Sequence, residues 1–94
     1  MKPETKFKNK VRPELEAIPM SCWEKIQQVV IRGTPDFVGC VRSRAVVIEL
    51  KTEVGTVDPL QDYKLQRWRQ AGALHFVMTP KNKDAIIKKL REIK

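Results

Sequence analysis

The chain has little from which to build the commoner metal and catalytic centres. It holds one histidine, His75, and two cysteines, Cys22 and Cys40. Neither cysteine lies in a Cys-x-x-Cys pair or near the histidine, which excludes the usual Cys/His zinc site. The two thiols are expected to be free and buried, and His75, just ahead of an apolar stretch, to be structural. No run approaches the ~20 apolar residues of a membrane span. The N-terminus lacks an apolar stretch of signal-peptide length, so no membrane partner is expected and the expected location is the cytoplasm. No internal repeat, low-complexity segment or Gly/Ser linker interrupts the sequence. With 94 residues there is too little apolar material for two cores, so one domain spanning 1–94 is expected.

What is present in excess is positive charge. Nineteen Lys and Arg stand against eleven Asp and Glu, a formal net charge of +8, which makes a polyanion the first expected partner. DNA, RNA and anionic lipid all fit that charge, and lysine-rich ends also serve simply as solvated surface. Hydrophobic residues make up 41% of the chain, too many for a disordered segment, so the chain is expected to fold.

Phe7, Val11, Leu15 and Ile18 recur at helical spacing, predicting a helix from near the N-terminus to about Ala17 that Pro13 should kink or end. Pro19 closes that segment. Cys22 to Ile31, with Trp23, Ile26, Val29, Val30 and Ile31, reads as a strand running into a loop. After Gly33-Thr34-Pro35, the runs Asp36–Val41 and Arg44–Lys51 flank Arg42-Ser43 and predict a hairpin. Asp58 followed by Pro59 is a helix start, N-cap then first turn, and Gly72 ends that helix after Ala71. Ala73 to Thr79 reads as a strand, and Lys81 to Lys94 as a helix with Ile86, Ile87, Leu90 and Ile93 on one face. The predicted order is αβββαβα, an α/β fold.

The hairpin carries the chemistry. With Arg42 and Ser43 as its two turn residues, Asp36 falls opposite Glu49. Like charges so placed, with Cβ atoms ~4.5–5.5 Å apart, destabilise a sheet unless something positive joins them. Lys51, two residues past Glu49, shares its face by the alternation of a strand. Paired carboxylates suit Mg²⁺ or Mn²⁺, which prefer oxygen donors and keep waters for a phosphate and a nucleophile. This predicts phosphodiester hydrolysis, with Asp36 and Glu49 as ligands and Lys51 positioning the attacking water or stabilising developing charge. The plainer alternative makes Glu49 and Lys51 the solvated face of an edge strand and Asp36 a turn cap. A slip of one residue would separate the acids, and Arg-Ser is a poor pair for a type I′ turn. Gln61, on the next helix, falls within the arc of Leu60, Leu65, Trp68 and Ala71 expected to face the core, where a buried amide needs partners. A half-exposed position near the helix start explains it equally well.

The ordered set Gly33-Thr34-Pro35-Asp36, Glu49-Leu50-Lys51 and Gln61 resembles the PD-(D/E)XK nuclease superfamily, and within it a stand-alone virus-type replication-repair nuclease (VRR-NUC) domain of phage or bacterial type. The likeness runs over nearly the whole chain. It implies a restriction-endonuclease-like αβββαβ core with an extra C-terminal helix. It also implies a metal site that includes Leu50 beside Asp36 and Glu49, and catalytic roles for Gln61 and for an acid on the first helix. Glu4 sits where that acid is expected, with Glu14 and Glu16 as competitors. Arg42-Ser43 departs from the glycine-containing turn of small phage-type members and adds cations where a nucleic-acid backbone could pass.

For substrate, the resemblance implies a Mg²⁺- or Mn²⁺-dependent endodeoxyribonuclease acting on branched DNA such as a four-way (Holliday) junction, in a bacterial or phage-infected host cell. It also implies a homodimer, whose two-fold symmetry would place paired cuts in a symmetric junction; Trp23, Tyr63 and the flank of the last helix are candidate contacts. Two alternatives stand beside it: a monomeric flap or nicking nuclease, and a basic DNA-binding module that shares the fold without cutting. Lys6, Lys8, Lys10, Arg12, Lys64, Arg67 and Arg69 are candidate phosphate contacts.

Overall fold

The computed structural model describes the main chain of residues 3–26, 35–52 and 59–94, and the side chains of these except 3–4 and 59–62. The expected N-cap at Asp58, the run Val29–Ile31 and the pair Gly33-Thr34 lie outside the described residues. Seven elements follow one another: α1 (Pro3–Glu16), β1 (Ser21–Lys25), β2 (Phe37–Val41), β3 (Arg44–Leu50), α2 (Pro59–Gln70), β4 (Leu74–Met78) and α3 (Lys83–Arg91). This is the αβββαβα order expected from the periodicities.

Helix α1 exists because Phe7, Val11 and Leu15 give it one buried stripe, and burial of such a stripe outweighs a single unfavourable residue. Pro13 therefore lies inside the helix. It does not stop the helix where it stands: α1 continues to Glu16, and the Ala17 N–H donates to the Pro13 carbonyl at 3.0 Å. Of the strand running into a loop expected over 22–31, the described part is β1, a five-residue strand that ends at Lys25, and 27–31 lie outside the described residues.

The four strands lie in the order β1-β2-β3-β4, with β1, β2 and β3 antiparallel in turn and β4 parallel to β3. Phe37 pairs with Ile48 and Val41 with Arg44, the register that the two-residue turn predicts. Both turn residues take positive φ, 47° at Arg42 and 73° at Ser43, as a type I′ turn requires. Arg and Ser thus adopt a backbone that Asn-Gly adopts at lower cost, held there by the ladders on either side.

One sheet face carries the main core. Phe37, Val41, Val46, Ile48, Leu50 and Met78 from the strands pack with Phe7, Val11, Leu15 and Ile18, and with Ile86, Ile87 and Leu90 of α3. On the other face Val47 is fully buried, and α2, which packs against β4, adds Leu65. Trp68, expected in that core, is 39% exposed and Ala71 is exposed, because the α2 axis turns the stripe they share with Lys64 and Arg67 outward into an open groove. Gly72, at φ 107°, ends the helix as expected.

The thiols are not buried. Cys22 and Cys40 are free but exposed, and they face each other across the β1–β2 ladder. The alternation that buries Val41 turns Cys40 outward, on the side that α1 and α3 leave uncovered. Trp23 packs against the core and lies over Gly39, its partner on β2, so packing accounts for it without a dimer contact. Tyr63 is 60% exposed.

Candidate metal and phosphodiester site

The two ends of the β2–β3 hairpin differ in chemistry. The turn end carries Arg42 and Arg44, both exposed. The open end carries the acids, five strand positions or about 16 Å along β3 from Arg44.

Asp36 stands at the mouth of β2, tied to both neighbouring strands. Its N–H donates to the Ile48 carbonyl at 2.9 Å, and its carbonyl accepts the Ile26 N–H at 2.8 Å. Its carboxylate is held as firmly. Oδ2 accepts the Leu50 N–H at 2.8 Å, so the side chain reaches along the sheet and satisfies a β3 donor that β2 is too short to meet. Oδ1 lies 2.7 Å from Lys8 Nζ on α1. The Asp36 side chain is 14% exposed and that of Lys8 27%, so this pair is shielded more than a surface one.

Glu49 is the one buried acid among the described residues, 5% exposed. It shares with Val47 the sheet face that α2 covers. Lys51 follows two positions on, its Nζ 3.8 Å from Glu49 Oε1. The Lys51 N–H donates to the Met78 carbonyl at 2.9 Å, which keeps β3 against β4 to this point and fixes where the lysine stem starts. A carboxylate is buried at this depth only with compensating charge or hydrogen bonds. The structure therefore brings Asp36 against Leu50 and Lys51 against Glu49 at one end of the hairpin, each carboxylate beside an ammonium.

The donor set suits a hard divalent cation. Asp36 and Glu49 offer carboxylate oxygens, Leu50 between the acid and the lysine can offer its main-chain carbonyl, and Mg²⁺ typically takes one or two carboxylates and completes its shell with water. No group of three or more His, Cys, Asp and Glu able to hold a metal ion occurs among the described residues.

The remaining predicted residues divide cleanly. Glu4 lies in α1 one turn before Lys8, and Gln61 is the third residue of α2; the side chains of both lie outside the described set. Of the competing acids, Glu14 binds Lys83 Nζ through both oxygens, at 2.6 and 2.8 Å, and Glu16 pairs with Arg12 at 3.0 Å. His75 lies on β4, with its Nδ1 buried and without a hydrogen-bond partner. Lys6, Lys10 and Arg12 are exposed on α1, whereas Lys8 is half-buried. The sequence signal that sets Lys8 apart is its place next to Phe7, on the margin of the helix's buried stripe.

A solved structure of a VRR-NUC domain is similar to this chain, with a TM-score of 0.74 and 26% sequence identity, over 90% of this chain and 94% of that one. No family model and no curated protein matches the sequence.

Proposed function

We propose, from the premise that this chain is a VRR-NUC domain and so of a nuclease family, that it is a divalent-metal-dependent DNA endonuclease of one domain. Its preferred substrate is branched DNA, a four-way junction above all, cut by a homodimer. The observation that carries this reading is the pairing of Asp36 with the Leu50 N–H and of Glu49 with Lys51 at the open end of the hairpin. Around it lies a chain with a net charge of +8, suited to a polyanionic backbone.

Asp36, Glu49 and the Leu50 carbonyl would hold Mg²⁺ or Mn²⁺, which when bound supplies an activated water and stabilises charge on the phosphate. The ladder bond to Leu50 fixes the direction of the Asp36 carboxylate, so no reorganisation is needed at the moment of reaction. The Lys51 ammonium, half-buried and set by its strand, either orients the attacking water or neutralises the negative charge that builds on phosphorus. Gln61 and Glu4 complete the proposed set, Gln61 toward the substrate phosphate and Glu4 as the acid of the first helix.

The test is cleavage of a labelled four-way junction, a flap and a linear duplex in Mg²⁺, Mn²⁺ and EDTA, with wild type beside Lys51→Ala. Metal-dependent cutting that the variant loses supports the site, and paired symmetric cuts in the junction support a dimeric resolvase. Cutting of flaps or nicked duplex by a monomer would move the reading to the flap or nicking class. Binding without cutting in either metal would leave a basic DNA-binding module.

A further inference from the structure

We propose that Lys8 is a built-in counter-cation of the metal site, one that holds Asp36 while no metal is bound and competes with the incoming divalent cation for Oδ1. This inference rests on the reading of Asp36 as a metal ligand.

The two Asp36 oxygens are not equivalent. Oδ2 is committed to the Leu50 N–H at 2.8 Å, a bond that extends the sheet past the end of β2. Oδ1 is the oxygen a cation can take without disturbing that ladder, and it is the one on which Lys8 Nζ sits at 2.7 Å. An ammonium and a divalent cation on one carboxylate oxygen repel each other strongly where neither is well solvated. With the two side chains only 27% and 14% exposed, water screens this repulsion poorly. Tight metal binding therefore requires Lys8 to move off Oδ1.

Lys8 cannot leave by withdrawing its helix. Phe7 and Val11, 6% and 0% exposed, lock α1 into the core on either side of it. What moves is the side chain, whose four-carbon stem is long enough to swing toward solvent. The residue thus acts through Asp36 as a positioning group. It keeps the carboxylate oriented in the metal-free protein and sets how tightly the cation is held.

The experiment measures Mn²⁺ binding by the full chain without DNA, from the depletion of the free-Mn²⁺ spin-resonance signal. Wild type is compared with Lys8→Met, which keeps the stem and removes the charge, and with Lys8→Arg, which keeps the charge. Lys8→Met is expected to bind Mn²⁺ about tenfold more tightly, while Lys8→Arg stays near wild type. The gain in Tm on adding Mn²⁺ is expected to be larger for Lys8→Met than for wild type, a linkage effect that a lysine used only for packing would not produce. Equal or weaker binding by Lys8→Met, with wild type binding the metal, overturns the proposal and leaves the metal site standing. Absence of Mn²⁺ binding by every form overturns both.

Discussion

Lys83 Nζ at the start of α3 sits 2.6 and 2.8 Å from the two oxygens of Glu14 on α1, with Asp84 at 3.1 Å, joining the two helices that cover the core face of the sheet. The hydrogen bond that Lys83 donates to Glu14 is the main reason the Lys83 pKa rises above the ordinary lysine value of 10.5, with Asp84 helping and burial opposing. A lysine whose pKa is raised by folding contributes stability that is fully present below its unfolded pKa and is lost as pH climbs through the folded one. The difference in Tm between wild type and Lys83→Met should therefore hold steady from about pH 7 to pH 10 and shrink above that. A difference that grows with alkaline pH would contradict the pairing.

Asp36 has a structural duty separable from its proposed chemistry. Asp36→Ala leaves the Leu50 N–H without its acceptor, at about 1–3 kcal/mol. Asp36→Asn keeps an oxygen for that N–H and loses only the ion pair to Lys8, so its thermal melting temperature should fall between those of the wild type and the alanine variant. Both should lose metal-dependent cleavage by about 10²-fold or more. A stable Asn variant that still cuts at the wild-type rate would remove Asp36 from the site.

Gly39 is required by its neighbour. A Cβ there would stand 2.4 Å from Trp23 Cε3 and 2.5 Å from the Cys22 carbonyl oxygen. Gly39→Ala should destabilise the chain by about 1–3 kcal/mol, read in a denaturant melt. Adding Trp23→Ala should recover only part of the loss, because the Cys22 carbonyl belongs to the ladder and stays in place.

The opposed thiols are testable without any functional assay. Directly paired strand residues have Cα atoms ~4.5–5.5 Å apart, inside the ~4.4–6.8 Å range that a disulfide spans. Both cysteines should react with Ellman's reagent in the native protein. Mild oxidation with diamide should join Cys22 to Cys40 within one chain, seen as a reductant-reversible loss of two hydrogens in the intact mass. Thiols that react only after denaturation would contradict their exposure.

How far the sequence could be read depended on how local the controlling physics was. The hairpin register is legible because strand alternation and a two-residue turn fix it arithmetically, and it puts Glu49 and Lys51 on one face; the expected pairing of Asp36 with Glu49 does not form, because the ladder ends at Phe37 and Ile48 and the Asp36 N–H turns to the Ile48 carbonyl. The Asp36 carboxylate was harder. Its bond to the Leu50 N–H depends on β2 ending before β3 does, which residue patterns do not specify. The local cost of Pro13 is visible in sequence, and the packing of Phe7, Val11 and Leu15 that carries the helix past it is not. Residue-type preference alone predicts buried thiols, whereas tertiary cover of each sheet face decides exposure. The place of Lys8 on the margin of the α1 stripe is visible in sequence, but its partner Asp36 is set only by the docking of α1 against the strand mouth.

The outward turn of Trp68 and Ala71 bears on motion. Among the described residues α2 buries Leu65 alone and rests chiefly on β4, whereas α1 buries three residues and touches two strands and α3. Elements with few buried contacts open first, at free energies below that of global unfolding. Backbone amides of 63–70 should thus exchange with deuterium well before those of 7–15. Helix α2 (Pro59–Gln70) is then the element expected to open ahead of α1, on the microsecond-to-second timescale of local opening, while the β2–β3 hairpin that carries Asp36 and Glu49 stays closed.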